Sequence, residues 1–208
     1  MSRICNYDKK NCPKMKTIRL ILASTSPYRA ELLSKLGLDF EAIAPNVEET
    51  AQEHETATEL VQRLALEKAS ALKNEKDAVI IGSDQVCVID GKIIGKPLTR
   101  SNAIHQLQQQ SGKTVRFYTG LAVYNTKTQQ SETVIDTFDV TFRKLTTTQI
   151  ERYVDMEQPL YCAGSFKSEG LGITLFSQLD GKDPNTLVGL PLIDLVTLLA
   201  KQGISPLA

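Results

Sequence analysis

The sequence predicts a mixed α/β fold, on three observations. An apolar run, Ile18 to Ala23, breaks at a Ser/Pro junction and continues as Ala30 to Gly37, which reads as a strand feeding a helix. A second run, Ala78 to Ser83, is apolar throughout, as expected of a strand buried on both faces. Two long strand patterns, Val115 to Tyr124 and Thr133 to Arg143, are joined by a polar turn and should pair antiparallel, so the sheet is mixed rather than wholly parallel.

In chain order, the first unit is strand Ile18 to Ala23, helix Pro27 to Leu36 and strand Phe40 to Ala44, with Gly37 placed to stop the helix. A carboxylate-rich loop from Pro45 to about Thr56 precedes a helix from Ala57 to Lys73. Leu60, Leu64 and Ala71 or Leu72 form its apolar face, with Arg63, Glu67 and Lys68 spread around it. The strand Ala78 to Ser83 is expected to end at Asp84. Gln85 to Ile89, the Asp90-Gly91 turn and Lys92 to Ile94 then form a hairpin, broken by Gly95-Lys96-Pro97. Thr99 caps a helix reaching Gln110, and Thr146 caps another over Thr148 to Asp155. After the Gly-rich stretch Ala163 to Gly172 come a short strand, Ile173 to Phe176, a loop, Asp180 to Thr186, and an apolar helix within Leu187 to Ala200, interrupted early by Gly189 and Pro191. No internal repeat or linker divides residues 17–208, which read as one domain with a cleft between its halves. Residues 1–16 read as a polar leader, a disordered tail or a start upstream of the true one at Met15.

Composition narrows the function. The 208 residues are 41% hydrophobic and 23% charged, ordinary for a globular protein. Lys+Arg and Asp+Glu are equal at 24 each, so no net field draws a nucleic acid polymer or an anionic membrane. No stretch is long and apolar enough to span a bilayer, and the expected location is the cytoplasm. Cys5, Cys12, Cys87 and Cys162 form no regular framework and should be reduced thiols, Cys87 in the core. His54 and His105, the only histidines, have no zinc spacing and read as solvated, so acid–base chemistry falls to carboxylates.

The junction Ser24-Thr25-Ser26-Pro27-Tyr28-Arg29 leaves free N–H groups at a helix start beside hydroxyls and a guanidinium, a setting that favours a phosphate. By itself it is equally a capped helix start with a surface arginine. Asp84, expected past the end of the most apolar strand, stands where open α/β sheets gather their ligands, though turn-forming aspartates occupy such places too. Glu48 and Glu49 follow a strand as well, and with Asp84 could hold a hard divalent ion completed by water and phosphate oxygens. Lys68, Lys96 and Arg29 would supply cations around a polyphosphate. The chain has no Gly-x-x-x-x-Gly-Lys-Ser/Thr, so any phosphate cradle is not a P-loop.

Six blocks carry a family resemblance: Ala23 to Arg29 with Glu31-Leu32-Leu33; Arg63 to Ala69; Ile81-Gly82-Ser83-Asp84-Gln85; Gly95-Lys96-Pro97; Gly164 to Gly170; and Val188 to Pro191. In this order they resemble the Maf family of nucleotide pyrophosphatases, from about Ile18 to the C-terminus. The resemblance implies an elongated mixed sheet with flanking helices and a cleft between two lobes, similar to the inosine triphosphate pyrophosphatase architecture. It implies hydrolysis of a nucleoside triphosphate to the monophosphate and pyrophosphate with a divalent cation, Mg²⁺, Mn²⁺ or Co²⁺. Carried over by motif, Asp84 would accept the proton of the attacking water and Ser24, Arg29, Lys68 and Lys96 would contact phosphates. Glu49 would assist Asp84 at the metal.

Within the family, Ser83-Asp84-Gln85 and Gly164 to Gly170 look most like the subgroup acting on 7-methyl-GTP, with Tyr28, Gln85 and Glu169 as the positions that select the base. Methylation at N7 makes guanine cationic, which suits an aromatic ring and a carboxylate. That subgroup usually carries Trp where this chain has Tyr28, the weaker cation–π partner, and Glu48 stands where an aspartate is common. The same reaction on dTTP, UTP or other modified nucleotides is the nearest alternative, and a nucleotide-binding regulator of cell division is another. The expected partner is a small nucleotide, with a homodimer left open.

Overall fold

The structure, a computed structural model, describes residues 18–207. The leader and its Cys5 and Cys12 lie outside the described residues. The elements are β1 (Arg19–Ala23), α1 (Pro27–Ser34), β2 (Glu41–Ile43), α2 (Ala57–Ala71), β3 (Ala78–Ile89), β4 (Lys92–Ile94), α3 (Arg100–Gln110), β5 (Thr114–Asn125), β6 (Gln130–Phe142), α4 (Thr147–Glu157), β7 (Phe176–Gly181) and α5 (Leu192–Lys201). Helix starts follow local chemistry. The Ser26 hydroxyl accepts the Arg29 N–H at 3.4 Å ahead of Pro27, and Thr56 with Glu59 and Thr146 with Gln149 close reciprocal capping boxes on α2 and α4.

The seven strands form one sheet in the order β2-β1-β3-β5-β6-β7, with β4 also paired to β3. β1 runs parallel to β2 and β3, while the pairs β3–β4, β3–β5, β5–β6 and β6–β7 are antiparallel. The expected mixed sheet is therefore present, with β5 and β6 its longest ladder.

Two expectations need correction. β3 does not stop at Ser83: it continues unbroken to Ile89, because β5 pairs with it from Val79 to Val88 and gives Ser83 and Asp84 ladder partners in Leu121 and Gly120. The strand that ends at this level is β1, last paired at Leu22 with Ile81, while β4 joins only at Cys87. Between them the β3 edge opens on a cleft, and Asp84 stands beyond the carboxyl end of β1 rather than of its own strand. The second correction concerns Ile173 to Phe176. Leu171–Leu175 is a 3-10 turn, tight enough that a Cβ on Gly172 would lie 2.2 Å from the Lys167 carbonyl oxygen. The strand begins only at Phe176, where the ring packs edge-on against Phe142 and Phe166, and takes in Asp180 and Gly181 of the expected loop. A further 3-10 turn, Pro184–Val188, then precedes α5, which starts at Leu192 after Gly189 and Pro191.

Side chains alternate across each strand, so each sheet face can be followed separately. One face is covered by α2, whose Leu60, Val61, Leu64, Ala65 and Ala69 are buried. It comes close at two glycines: a Cβ on Gly82 would lie 2.1 Å from the Ala65 carbonyl oxygen, and one on Gly120 would lie 2.1 Å from that of Val61. The other face carries two cores. Val79, Ile81, Leu121 and Val123 pack with α1 and α5, while Cys87, Val115, Phe117, Phe138 and Val140 pack with α3 and α4. Gln85, Thr119 and Asp136 stand opposite one another across β3, β5 and β6, a polar row between these two cores. His54 and His105 are exposed, and Cys87 is buried as a free thiol.

Candidate active site

A cavity of about 620 Å³ opens where β1 leaves the sheet. Its lining brings together eight of the expected residues, Ser24, Tyr28, Arg29, Glu49, Lys68, Asp84, Gln85 and Lys96, with Glu169 as the ninth. Glu48 is not among the lining residues. Its carboxylate accepts the N–H and hydroxyl of Thr50 in its own loop, whereas the neighbouring Glu49 turns inward.

The charged centre is built on α2. Leu60, Leu64 and Lys68 recur every four residues, so Lys68 lies on the buried stripe rather than on the solvated side its charge suggested. Its ammonium donates to Asp84 Oδ1 at 2.8 Å and pairs with Glu49 Oε1 at 2.6 Å. The Lys68 and Asp84 side chains are only 6% and 10% exposed. Burial pushes the Glu49 carboxyl up, but Lys68, Lys96 and Arg29 together outweigh this and hold it below its ordinary value. The loop bearing Glu49 is clamped by Arg63, which grips Glu55 at 2.6 and 2.7 Å and donates to the Thr50 carbonyl at 3.2 Å.

The second cationic group comes from α1. Desolvation holds the Arg29 guanidinium below its ordinary pKa, countered by Asp84 and Glu49. Its Nε donates to the Gly189 carbonyl at 2.8 Å, which leaves the terminal nitrogens without a hydrogen bond among the described residues. Gly189 adopts φ +104°, a conformation that suits glycine, and its carbonyl also accepts the buried Ser83 hydroxyl at 2.9 Å. Ser24 is buried where β1 ends, and its oxygen accepts the Ser26 N–H at 3.1 Å. The Ser24 hydroxyl and the Arg29 terminal nitrogens thus meet at the N-terminus of α1, where Ser26 already accepts the Arg29 and Ala30 N–H groups.

Aromatic and acidic groups mark a further part of the lining. Desolvation raises the Tyr28 phenol, and Cys162 and Glu169 add to it. Burial likewise raises the half-buried Cys162 thiol. Glu169 is exposed, its side chain meeting only the Ser168 hydroxyl at 3.2 Å among the described residues, on a loop held elsewhere. Lys167 N–H donates to the Tyr153 hydroxyl at 3.0 Å, and Glu157 accepts the Leu171 N–H at 2.7 Å.

The Maf-like protein family matches residues 19–202. The chain belongs to the Maf family. Relatives named 7-methyl-GTP pyrophosphatase are 62% identical in Vibrio parahaemolyticus (serotype O3:K6), 59% in Vibrio vulnificus and 58% in Aliivibrio fischeri. These matches cover 91%, 93% and 91% of this chain and 98%, 100% and 98% of the relatives, respectively. Among solved structures, the Ham1 protein of Staphylococcus aureus is similar with a TM-score of 0.50 and 12% identity, over 89% of this chain and 100% of that one. A HAM1 protein from Coxiella burnetii has a TM-score of 0.51 and 15% identity, over 88% and 99%. At that identity the likeness extends to the fold, which is the architecture expected of a Maf protein.

Other features around the cavity of this Maf protein escaped the sequence. Thr119, Asp136 and Thr186 bond around Gln85, and the signal for the first two was present: each is a polar residue at an apolar position of an alternating strand, between Phe117 and Leu121 and between Val134 and Phe138. Thr186 had no such signal, lying in a loop in the sequence. No helix among the described residues is long and apolar enough to cross a membrane.

Proposed function

We propose that the chain hydrolyses 7-methyl-GTP to 7-methyl-GMP and pyrophosphate. The reading is carried by one observation, the convergence of Asp84, Lys68, Glu49 and Arg29 in a cavity that also contains Tyr28 and Glu169. Relatives named for this reaction across nearly their whole length support it.

The reaction needs a water at the α-phosphorus and a stabilised pyrophosphate leaving group, so positioning and electrostatics carry most of it. Lys68 occupies Asp84 Oδ1, which fixes the carboxylate and leaves Oδ2 to accept the proton of the attacking water. Arg29, anchored through Nε, presents its terminal nitrogens to phosphate oxygens. The Ser24 hydroxyl and Lys96 add donors along the phosphate chain. Lys68 also shields Asp84 and Glu49 from each other.

Asp84 and Glu49 suit a divalent cation by number and type, since Mg²⁺ takes one or two carboxylates and fills its shell with phosphate oxygens and water. Because Lys68 contacts one oxygen of each, the cation would share Asp84 Oδ1 with the ammonium and leave Oδ2 to the proton. Among the described residues no group of three or more His, Cys, Asp or Glu side chains could hold a metal, so the substrate would complete the coordination. A bound Mg²⁺, Mn²⁺ or Co²⁺ would neutralise phosphate charge and acidify the water. Tyr28 offers its ring to the cationic base and Glu169 its carboxylate, complementing the charge that N7 methylation creates. The setting of such a reaction is the cytoplasm.

The test is pyrophosphate release with each metal across 7-methyl-GTP, GTP, dTTP, UTP, CTP and ITP, with Asp84→Asn as control. Preferential cleavage of 7-methyl-GTP, lost in the control, is expected. Cleavage of dTTP and UTP instead would retain the mechanism and overturn the base assignment, and no cleavage would favour a binding role.

A further inference from the structure

Gln85 lines the cavity, yet its amide is not free to choose which end it shows a ligand. Its Nε2 lies 2.6 Å from the Thr186 carbonyl oxygen, 3.2 Å from the Leu187 carbonyl oxygen and 3.0 Å from Thr119 Oγ1. Backbone carbonyls only accept, so this end must be the NH₂ group, and a flipped amide would set oxygen against oxygen. The Thr119 hydroxyl is committed in the same sense: its hydrogen goes to the Thr186 carbonyl at 3.0 Å, so it can offer Gln85 only a lone pair. Thr119 is fully buried, with no water to reorient it.

The turn that supplies these carbonyls is itself fixed. The Thr186 hydroxyl donates to Asp136 Oδ2, and Asp136 is the next member of the cross-strand row Gln85, Thr119, Asp136. Asp183, also fully buried, accepts the N–H of Asn185 at 2.8 Å and that of Ile193 at 2.8 Å, tying the turn to α5. Gln85 Oε1 makes no hydrogen bond among the described residues and is the polar atom left for a ligand.

We infer that Thr119 and Thr186, the latter through Asp136, are positioning residues that lock Gln85 as a hydrogen-bond acceptor toward the cavity, so that the site admits a base edge carrying N–H donors and rejects one carrying an acceptor. This rests on the nucleotide reading above and sharpens it. Guanine presents N1–H and the N2 amine on one edge, and the charge of the methylated ring strengthens both donors. Adenine places a lone pair at N1, which would meet the locked Oε1 lone pair to lone pair, and a buried polar mismatch of this kind discriminates strongly.

The experiment measures kcat/KM for 7-methyl-GTP and ATP in the wild type, Thr119→Val, Thr186→Val, the double variant and Thr186→Ser. Thr119→Val removes the side-chain acceptor of Nε2, and Thr186→Val releases from Asp136 the turn whose carbonyls hold the rest. With both gone the amide can turn its NH₂ toward adenine N1, so the 7-methyl-GTP to ATP ratio should fall about tenfold or more in the double variant, less in the singles, and recover in Thr186→Ser. A merely structural role would lower both substrates together and leave the ratio unmoved, which overturns the inference. Thermal melts establish which variants are folded, and if the double is not, the single variants decide. Calorimetric affinities for 7-methyl-GMP and AMP give the ratio without turnover. If the wild type hydrolyses no nucleotide, the proposed function fails and this affinity ratio still decides the role of Thr119 and Thr186.

Discussion

Lys68 and Asp84 form an ion pair of 2.8 Å between an α-helix and the centre of a β-strand, with both side chains almost withdrawn from water. Removing one partner of such a pair leaves the other charge uncompensated, at a cost of about 3–5 kcal/mol. Lys68→Ala should therefore destabilise the protein by about 3 kcal/mol in urea unfolding, since the cavity keeps some solvent contact. The double variant Lys68→Met with Asp84→Asn should recover most of that loss while remaining inactive. A double variant no more stable than Lys68→Ala would show that desolvation does not govern this pair.

Asp84→Asn alone keeps the shape of the side chain and removes the proposed base. Turnover should fall by about 10²–10⁴-fold, the usual range for a positioned general base. Nucleotide binding should persist. Pyrophosphate release and calorimetry on the same preparation separate the two effects.

The approach of α2 to the sheet depends on glycine at position 82, where a Cβ would meet the Ala65 carbonyl oxygen at 2.1 Å. Backbone cannot swing aside as a flexible side chain can. Gly82→Ala should cost about 1–3 kcal/mol by overpacking. It should also lower kcat more than it raises KM, because moving α2 carries Lys68 away from Asp84. Urea melts and steady-state kinetics report these separately.

The Arg63 clamp on the Glu49 loop sets an acid limit. The Arg63 guanidinium lowers the Glu55 carboxyl to about 2 in the folded protein. A depressed carboxylate contributes stability that is complete above its unfolded value and is lost as pH falls through the folded one. The difference in thermal midpoint between wild type and Glu55→Gln should thus be constant above about pH 5, where an unfolded glutamate is ionised, and shrink below it. A difference that grew on acidification would contradict the sign.

Thiol chemistry separates the two described cysteines. Burial pushes Cys87 up to about 12, so it should resist alkylation in the native state at pH 8. Cys162 lines the cavity, and 7-methyl-GMP should slow its labelling. Mass spectrometry of each peptide, with and without the nucleotide, reads both.

On the proposed reading the Tyr28 ring meets the cationic base. Tyr28→Trp should raise the ratio of 7-methyl-GTP to GTP turnover about fivefold, equivalent to roughly 1 kcal/mol of added cation–π attraction. Glu169→Gln should lower it.

Much of this molecule was legible from local pattern. The caps at Ser26, Thr99 and Thr146 begin helices where hydroxyls can meet free N–H groups, and the hairpin at Asp90-Gly91 and the pairing of β5 with β6 follow from turn chemistry and alternation. The motif blocks supplied the residues that converge in the cavity. Lys68 was misjudged in its surroundings, although its spacing from Leu60 and Leu64 already set it on the buried stripe.

What the sequence determined by itself is the set of elements and the identity of the chemical groups, because capping, periodicity and side-chain chemistry are local. Only the tertiary structure decided where β3 ends, since a strand extends as far as its neighbours offer ladder partners, and β5 pairs with it to Val88, five residues past Ser83. The same holds for Glu49 over Glu48 and for the fixed amide of Gln85. Adjacent carboxylates are equivalent until one meets Lys68, and an amide has no preferred end until a turn 101 residues away places a carbonyl beside it.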